Sequence, residues 1–199
     1  MSENLRQGFV ERNTKETAVK LELALDVLEE EGVFQGSSGI DFLDHMLELM
    51  IKQSGFQLKL EARGDLGVDF HHTVEDIGLC LGKALQMALG EKKGIGRYGS
   101  TILPMDETLV LCAVDLSGRA GFYASLNFPT EKIGNFDSQL VKVFWQAFAQ
   151  EAKLTLHLQQ LAGENSHHLA EAIYKGVGRI LRKAVKVEGE TIPSSKGLL

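Results

Sequence analysis

The sequence predicts an α+β fold made of two similar halves, with helix layers packed between sheets. Two echoes within the chain carry that expectation. His71-His72-Thr73-Val74-Glu75 returns 96 positions later as His167-His168-Leu169-Ala170-Glu171, and Glu16-Thr17 returns 91 positions later as Glu107-Thr108. Between these markers, segments of period-2 alternation and runs of helical spacing recur in one order. That pattern is expected of an internal duplication with altered loops. Strands with helices packed against them give a layered α+β architecture.

Each half reads strand, strand, helix, strand, helix. Met1 to Arg12 reads as a loose polar arm. Glu16 to Asp26 alternates, with Val19, Leu21, Leu23 and Leu25 facing one way, so it is a half-buried strand. Glu29-Glu30-Glu31-Gly32 is a charged turn, and Val33 to Gly36 returns as a second strand. Asp41 to Gln53 is an amphipathic helix with Phe42, Met46, Leu49 and Met50 on one stripe. Phe56 to Ala62 is a strand, and His71 to Leu89 is a long helix stopped by Gly90. Glu91 to Met105 reads as a linker. In the second half, Glu107 to Asp115 and Phe122 to Asn127 are strands, Asp137 to Ala152 is an aromatic-rich helix, Lys153 to Leu161 is a strand and His167 to Val185 is the second long helix. The boundaries expected are 13–92 and 105–187 for the halves and 188–199 for a turn-rich tail, all within one functional unit, 1–199.

Composition narrows the function classes. Apolar residues make up 44% of the chain and charged residues 24%, which is ordinary for a soluble globular protein. The net charge of -6 argues against a dedicated nucleic-acid binder. No apolar run approaches the ~18 residues needed to span a membrane, and the polar N-terminus lacks the apolar core of a signal peptide. Cys80 and Cys112 lie in apolar surroundings without a CxxC partner, so they read as buried free thiols. The expected location is the cytoplasm.

The two His-His-x-x-Glu stretches carry the chemistry. On a helix the first His and the Glu are one turn apart and share a face. Adjacent histidines diverge by about 100°, so one pair suits two different ions better than one. Two such helix starts facing each other could hold two metals, each taking a His from either helix and a carboxylate. Solvated polar helix starts are the plain alternative, since Glu is favoured there, but it explains two matched copies poorly. His45 lies in the helix upstream of the first pair. Its mate in the second half should fall near Val143, where no histidine is found. Imidazoles with a carboxylate and open positions suit manganese or iron.

A second group points to an anionic substrate. Arg97 and Arg119 sit beside glycines, and Ser194-Ser195-Lys196-Gly197 combines hydroxyls, backbone N–H groups and an ammonium. Lys175 is one turn beyond Glu171 and can pair with it or reach a substrate. Glu16 and Asp106 lie at the starts of the matched strands, where either could act as general acid or base if it faces the metal pair. His157 lies on the polar face of its strand and reads as a surface or interface residue.

The pattern resembles the imidazoleglycerol-phosphate dehydratase family of histidine biosynthesis. The resemblance runs through Glu16-Thr17, Phe42-Leu43-Asp44-His45-Met46-Leu47, His71 to Asp76, Pro104-Met105-Asp106-Glu107, Asp115-Leu116-Ser117-Gly118-Arg119, Asn165-Ser166-His167-His168 with Glu171, and Pro193 to Gly197. It implies the ribosomal protein S5 domain 2-like fold and dehydration of imidazole glycerol phosphate to imidazole acetol phosphate. It implies two Mn2+ per chain that hold the substrate ring as an imidazolate. His45, His72, His168 and Glu75 would serve one ion, and His71, His167 and Glu171 the other. Glu16 would transfer protons, with His45, His72 and Asp106 as further catalytic candidates. Gln53, Arg97, Arg119, Lys175, Ser194, Ser195 and Lys196 would hold the substrate, mainly its phosphate. The resemblance also implies a homo-oligomer, a 24-subunit shell built from trimers. The chain departs from the family pattern at Val143 and Gln53, where His is usual, at Phe70, where Asp is usual, and at Leu49, where Gln is usual. These departures imply a weakened second metal site. Two other readings follow: a diverged, non-catalytic metal- or ligand-binding shell, and a different metal hydrolase, for which no nucleophile arrangement is evident.

Overall fold

The computed structural model describes residues 5–26 and 32–199. The charged turn expected at Glu29 to Glu31 lies outside the described residues. The first half contains β1 (Gln7–Asn13), β2 (Thr17–Ala24), β3 (Val33–Ser37), α1 (Asp41–Ser54), β4 (Gln57–Gly64) and α2 (His71–Leu89). The second contains β5 (Tyr98–Met105), β6 (Thr108–Asp115), β7 (Gly121–Ser125), the short hairpin β8 (Lys132–Ile133) and β9 (Phe136–Asp137), α3 (Leu140–Ala152), β10 (Thr155–Ala162) and α4 (Ser166–Ala184).

The duplication is exact in topology. One sheet runs β1-β2-β4-β3 and the other β5-β6-β10-β7. In each, the last pair is parallel and the others antiparallel. A parallel pair needs a crossover connection, and α1 and α3 supply it between β3 and β4 and between β7 and β10. The helices form the layer between the sheets, α2 packing on α3 and α1 on α4. Val19, Leu21 and Leu23 of β2 point into this layer and are at most 2% exposed, as their alternation predicts.

Two readings of the sequence are corrected here. The polar arm is not loose: Gln7 to Asn13 form an edge strand that pairs antiparallel with β2 along its whole length. The supposed linker contains β5, which pairs with β6 from Tyr98 to Met105. Both strands lie at a sheet edge; burial alternates along β5, but its inward positions include Gly99 and Thr101 and its exposed ones Tyr98 and Ile102, so apolar and polar residue types do not alternate with it. The strand–strand–helix–strand–helix halves are therefore each preceded by one further strand, and they reach back to Gln7 and Tyr98.

Close helix contacts are made possible by small residues. A Cβ at Gly82 of α2 would run into the carbonyl of Phe148 in α3, and one at Gly178 of α4 into that of Met50 in α1. These contacts bring the helix starts together in pairs, which is what builds the site. The centre of the layer is aromatic. Trp145 is 0% exposed and its ring lies 4.9 Å from Phe144, 5.4 Å from Phe148 and 4.8 Å from Tyr174. Cys80 and Cys112 are buried free thiols, and burial pushes both up to about 12, so they are inert packing residues. No helix among the described residues is long and apolar enough to cross a membrane.

Candidate metal and substrate site

The two His-His pairs open α2 and α4. Their rings stand at 82° and 90° to one another, with centroids 6.2 and 6.3 Å apart. That is the divergence expected of neighbours on a helix, and it sends the two imidazoles of each pair into different surroundings.

The first imidazole of the second pair meets a carboxylate and a third helix residue. His45 Nε2 lies 3.3 Å and His167 Nε2 3.1 Å from Glu171 Oε1. One ligand atom from each of His45, His167 and Glu171 lies within 4.8 Å of the others, and this is the group among the described residues able to hold a metal ion. Two imidazole nitrogens and a carboxylate oxygen, with the remaining positions open, fit a divalent ion of the manganese or iron type. Lys175 donates to the other oxygen, Oε2, leaving Oε1 for the imidazoles. Burial works against the charged carboxyl of Glu171, but Lys175, His167 and His45 outweigh it and hold it at about 2.

The grouping differs from the one the resemblance implies. The structure sets His45 with His167 and Glu171, because α1 packs on α4. It does not gather His45 with Glu75, which stands exposed on α2. By the same duplication, α3 packs on α2, and His45's mate in α3 is Val143, partly buried against the core. Among the described residues, no three-donor group includes His71 or Glu75.

The second imidazole of each pair is oriented through Nδ1, which leaves Nε2 available as a ligand. His72 Nδ1 donates to Asp65 Oδ2 at 2.9 Å, and His168 Nδ1 to Glu107 Oε2 at 2.8 Å. Those bonds raise both histidines above the ordinary imidazole value. Hydrogen bonds from His168 and then Thr108 hold Glu107 down at about 2. Glu16 Oε2 approaches His72 Nδ1 at 3.7 Å, and Asp106 Oδ2 approaches His168 Nε2 at 3.8 Å. Both proton-transfer candidates thus overhang a His pair from a β-turn, Asp106 with a left-handed φ of 50°.

Two orienting carboxylates escaped the reading of the sequence. Asp65 sits in an irregular loop and carries no pattern. Glu107 is the echo of Glu16 in the second half, next to the proton-transfer candidate Asp106. Asp65, in the loop before α2, orients His72. The two helix starts differ in their caps: Asn165 caps two N–H groups of α4, those of His167 and His168, whereas at α2 Asp69 accepts one, from His71.

The substrate candidates fall into two neighbourhoods. Lys175 lies one turn from Glu171, and Gln53 lies against Gly178, further along α4. Arg97 is at the opposite end. Its N–H donates to Ala184 O, and at about 1.5 Å per residue that end of α4 is roughly 25 Å from His167. Its guanidinium is paired with Asp115 (2.8 and 3.2 Å) and donates to Pro193 O at 2.8 Å, anchoring the tail. Lys196 N–H donates to Ser194 Oγ at 3.2 Å. The chain end comes back against Gly118, so Arg97, Arg119, Ser194, Ser195 and Lys196 share this second neighbourhood. One chain does not bring it to the metal ligands. His157 is exposed and stacks on Tyr123, ring centroids 4.8 Å apart.

The charges predict opposed pH responses. Glu107 and Glu171 are depressed from 4.5, so the stability they contribute is present above pH 4.5 and is lost as pH falls toward 2. His72 and His168 are raised from 6.5, so theirs is present below 6.5 and is lost as pH rises through the raised values. The metal-free chain should therefore resist heat best between about pH 4.5 and 6.5. Metal binding needs neutral imidazoles, so the rise in Tm on adding a divalent ion should grow as pH goes up from about 6 to 8. Thermal melts with and without Mn2+ across that range check both trends; a metal-induced rise that is equal at all pH values contradicts them.

Fold and site together define a class: a duplicated α+β protein with paired histidines at two helix starts and a His/His/Glu group able to hold a divalent ion. The sequence model of imidazoleglycerol-phosphate dehydratase matches residues 38–181. The chain is 51% identical to the imidazoleglycerol-phosphate dehydratase of Moorella thermoacetica over 98% of both chains, and 49% identical to that of Carboxydothermus hydrogenoformans over 98% of this chain and 100% of the relative. Among solved structures it is similar to the Staphylococcus aureus enzyme (TM-score 0.80, 35% identity, 91% of this chain and 99% of that chain). The Pyrococcus furiosus enzyme in complex with (S)-C348 is a second neighbour (TM-score 0.80, 36% identity, 96% and 100%). The chain belongs to the imidazoleglycerol-phosphate dehydratase family, hydro-lyases of histidine biosynthesis.

Proposed function

We propose that the chain removes water from imidazole glycerol phosphate to give imidazole acetol phosphate, using Mn2+ bound by its histidines and carboxylates. The observation that carries this reading is the convergence of His45, His167 and Glu171 on one point. Bound manganese would hold the substrate ring and act as a Lewis acid toward it. The chain's own residues supply the rest. Dehydration needs a proton taken from carbon and a proton given to the departing hydroxyl, and Glu16 and Asp106 are assigned to proton transfer. His71, His72, His168 and Glu75 complete the ligand set for two ions per chain. Lys175 and Gln53 hold substrate near the metal, and Arg97, Arg119, Ser194, Ser195 and Lys196 bind phosphate. The roughly 25 Å between these groups along α4 supports a site completed by a neighbouring copy, in a homo-oligomer of trimers assembled to 24 subunits. The expected location is the cytoplasm. Metal-stripped protein should be inactive and should regain turnover when Mn2+ is restored. Turnover that persists in chelator would contradict the metal's role.

Val143 supports two unequal metal sites, the one beside α3 being weaker. Val143→His should raise bound Mn2+ from about one ion per chain toward about two at limiting metal, because losses in a metal site's support commonly cost 10–100-fold in affinity. Elemental analysis after gel filtration reads this directly, and unchanged metal content would mean that another group already serves. Val143, Gln53 and Phe70 also favour a second reading, a metal- or ligand-binding shell without turnover. Normal metal content with no product from imidazole glycerol phosphate would select it.

A further inference from the structure

Glu16 and Glu107 are equivalents in the duplication, yet they stand in different bonding states. Both precede a Thr, and both overhang the second His of a pair. Glu107 is tied at each oxygen: Oε1 accepts from Thr108 Oγ1 at 2.8 Å and Oε2 from His168 Nδ1 at 2.8 Å. Glu16 has neither bond. Its Thr17 hydroxyl donates to Asp76 Oδ2 instead, and its His72 donates to Asp65 at 2.9 Å. Arg12 Nε donates to the other oxygen of Asp76 at 2.8 Å and fixes that buried carboxylate in place. The duplication matches Asp76 with Ala172, which accepts no hydrogen bond through its side chain, and the loop 65–70 that carries Asp65 is shortened to 163–165 in the second half.

We propose that Asp65 and Asp76 set Glu16 free for proton transfer, while Glu107, which lacks both counterparts, is fixed as the positioning residue of His168. Each bond that immobilises Glu107 is taken over in the first half by an aspartate. Glu16 keeps a 57% exposed side chain that comes no closer than 3.7 Å to His72 Nδ1, on a turn whose backbone is anchored by Thr14 and by the Thr17–Asp76 bond. This inference rests on the assignment of Glu16 to proton transfer.

The test uses the native oligomer with saturating Mn2+ and imidazole glycerol phosphate. Asp76→Ala, which copies Ala172, leaves the Thr17 hydroxyl no acceptor at that position, so it turns to Glu16 as Thr108 does to Glu107. The kcat should fall about tenfold, the scale of one hydrogen bond to a charged group, with KM little changed. Adding Thr17→Val removes that hydroxyl and should restore kcat to the level of Thr17→Val alone. A purely structural role for Asp76 gives no such rescue, and absence of rescue overturns the proposal. A second pair of substitutions, at exposed positions, does not strain the fold. Glu107→Gln should lower Mn2+ affinity roughly 10–100-fold and lower kcat at saturating metal by a smaller factor than Glu16→Gln does. Glu16→Gln should do the reverse, losing kcat with Mn2+ affinity kept. Equal loss of kcat in both variants overturns the division of labour. Full turnover in Glu16→Gln instead removes the underlying assignment, a result distinct from failed rescue in an otherwise Glu16-dependent enzyme.

Discussion

Glutamine at position 171 should weaken Mn2+ binding by more than about 100-fold, beyond the 10–100-fold that loss of supporting groups commonly costs. Glu171 is the point on which the site converges. It is 8% exposed, it receives His45 and His167 at one oxygen, and it receives Lys175 at the other. A neutral amide offers the ion no charge and leaves Lys175 without its partner. Glu75→Gln, at the echoed position, should cost much less, because Glu75 is exposed and belongs to no such group. Isothermal titration of the metal-free variants with Mn2+ separates the two. Equal losses would mean that the halves bind metal alike.

Trp145→Ala should destabilise the chain by about 3–5 kcal/mol, the usual range for removing a large buried aromatic side chain. Its indole fills the middle of the helix layer, between its α3 neighbours Phe144 and Phe148 and Tyr174 of α4. α4 also carries His167 and Glu171, so loosening its packing should lower metal affinity as well as the denaturation midpoint. Chemical denaturation with and without Mn2+ measures both, and a midpoint within error of the native chain would show that the layer does not depend on this residue.

What was legible in the sequence follows from periodicity and repetition. β2 showed itself because Val19, Leu21 and Leu23 alternate with polar residues, and α2 and α4 because each opens with a repeated motif. β1 and β5 did not, since glycines stand on their inward faces where α2 and α4 come close (Gly8 and Gly99) and apolar side chains stand outward (Phe9, Tyr98 and Ile102), which masks the alternation; their hydrogen bonds to β2 and β6 are made by backbone and leave no mark on side chains. The metal ligands were legible as residue types, and their partition was not. Which His meets which Glu depends on α1 packing against α4, a close approach that Gly178 allows at the Met50 carbonyl and that no ligand sets. The repeat did foretell that the two halves would differ at Val143. Asp65 could not be foretold, because a single loop carboxylate has neither period nor echo.

The measurement that bears most directly on the account is a steady-state assay of the native chain with imidazole glycerol phosphate and saturating Mn2+. The account predicts formation of imidazole acetol phosphate that depends on added metal and is lost in Glu16→Gln. Fully folded, Mn2+-loaded protein that forms no product would contradict it.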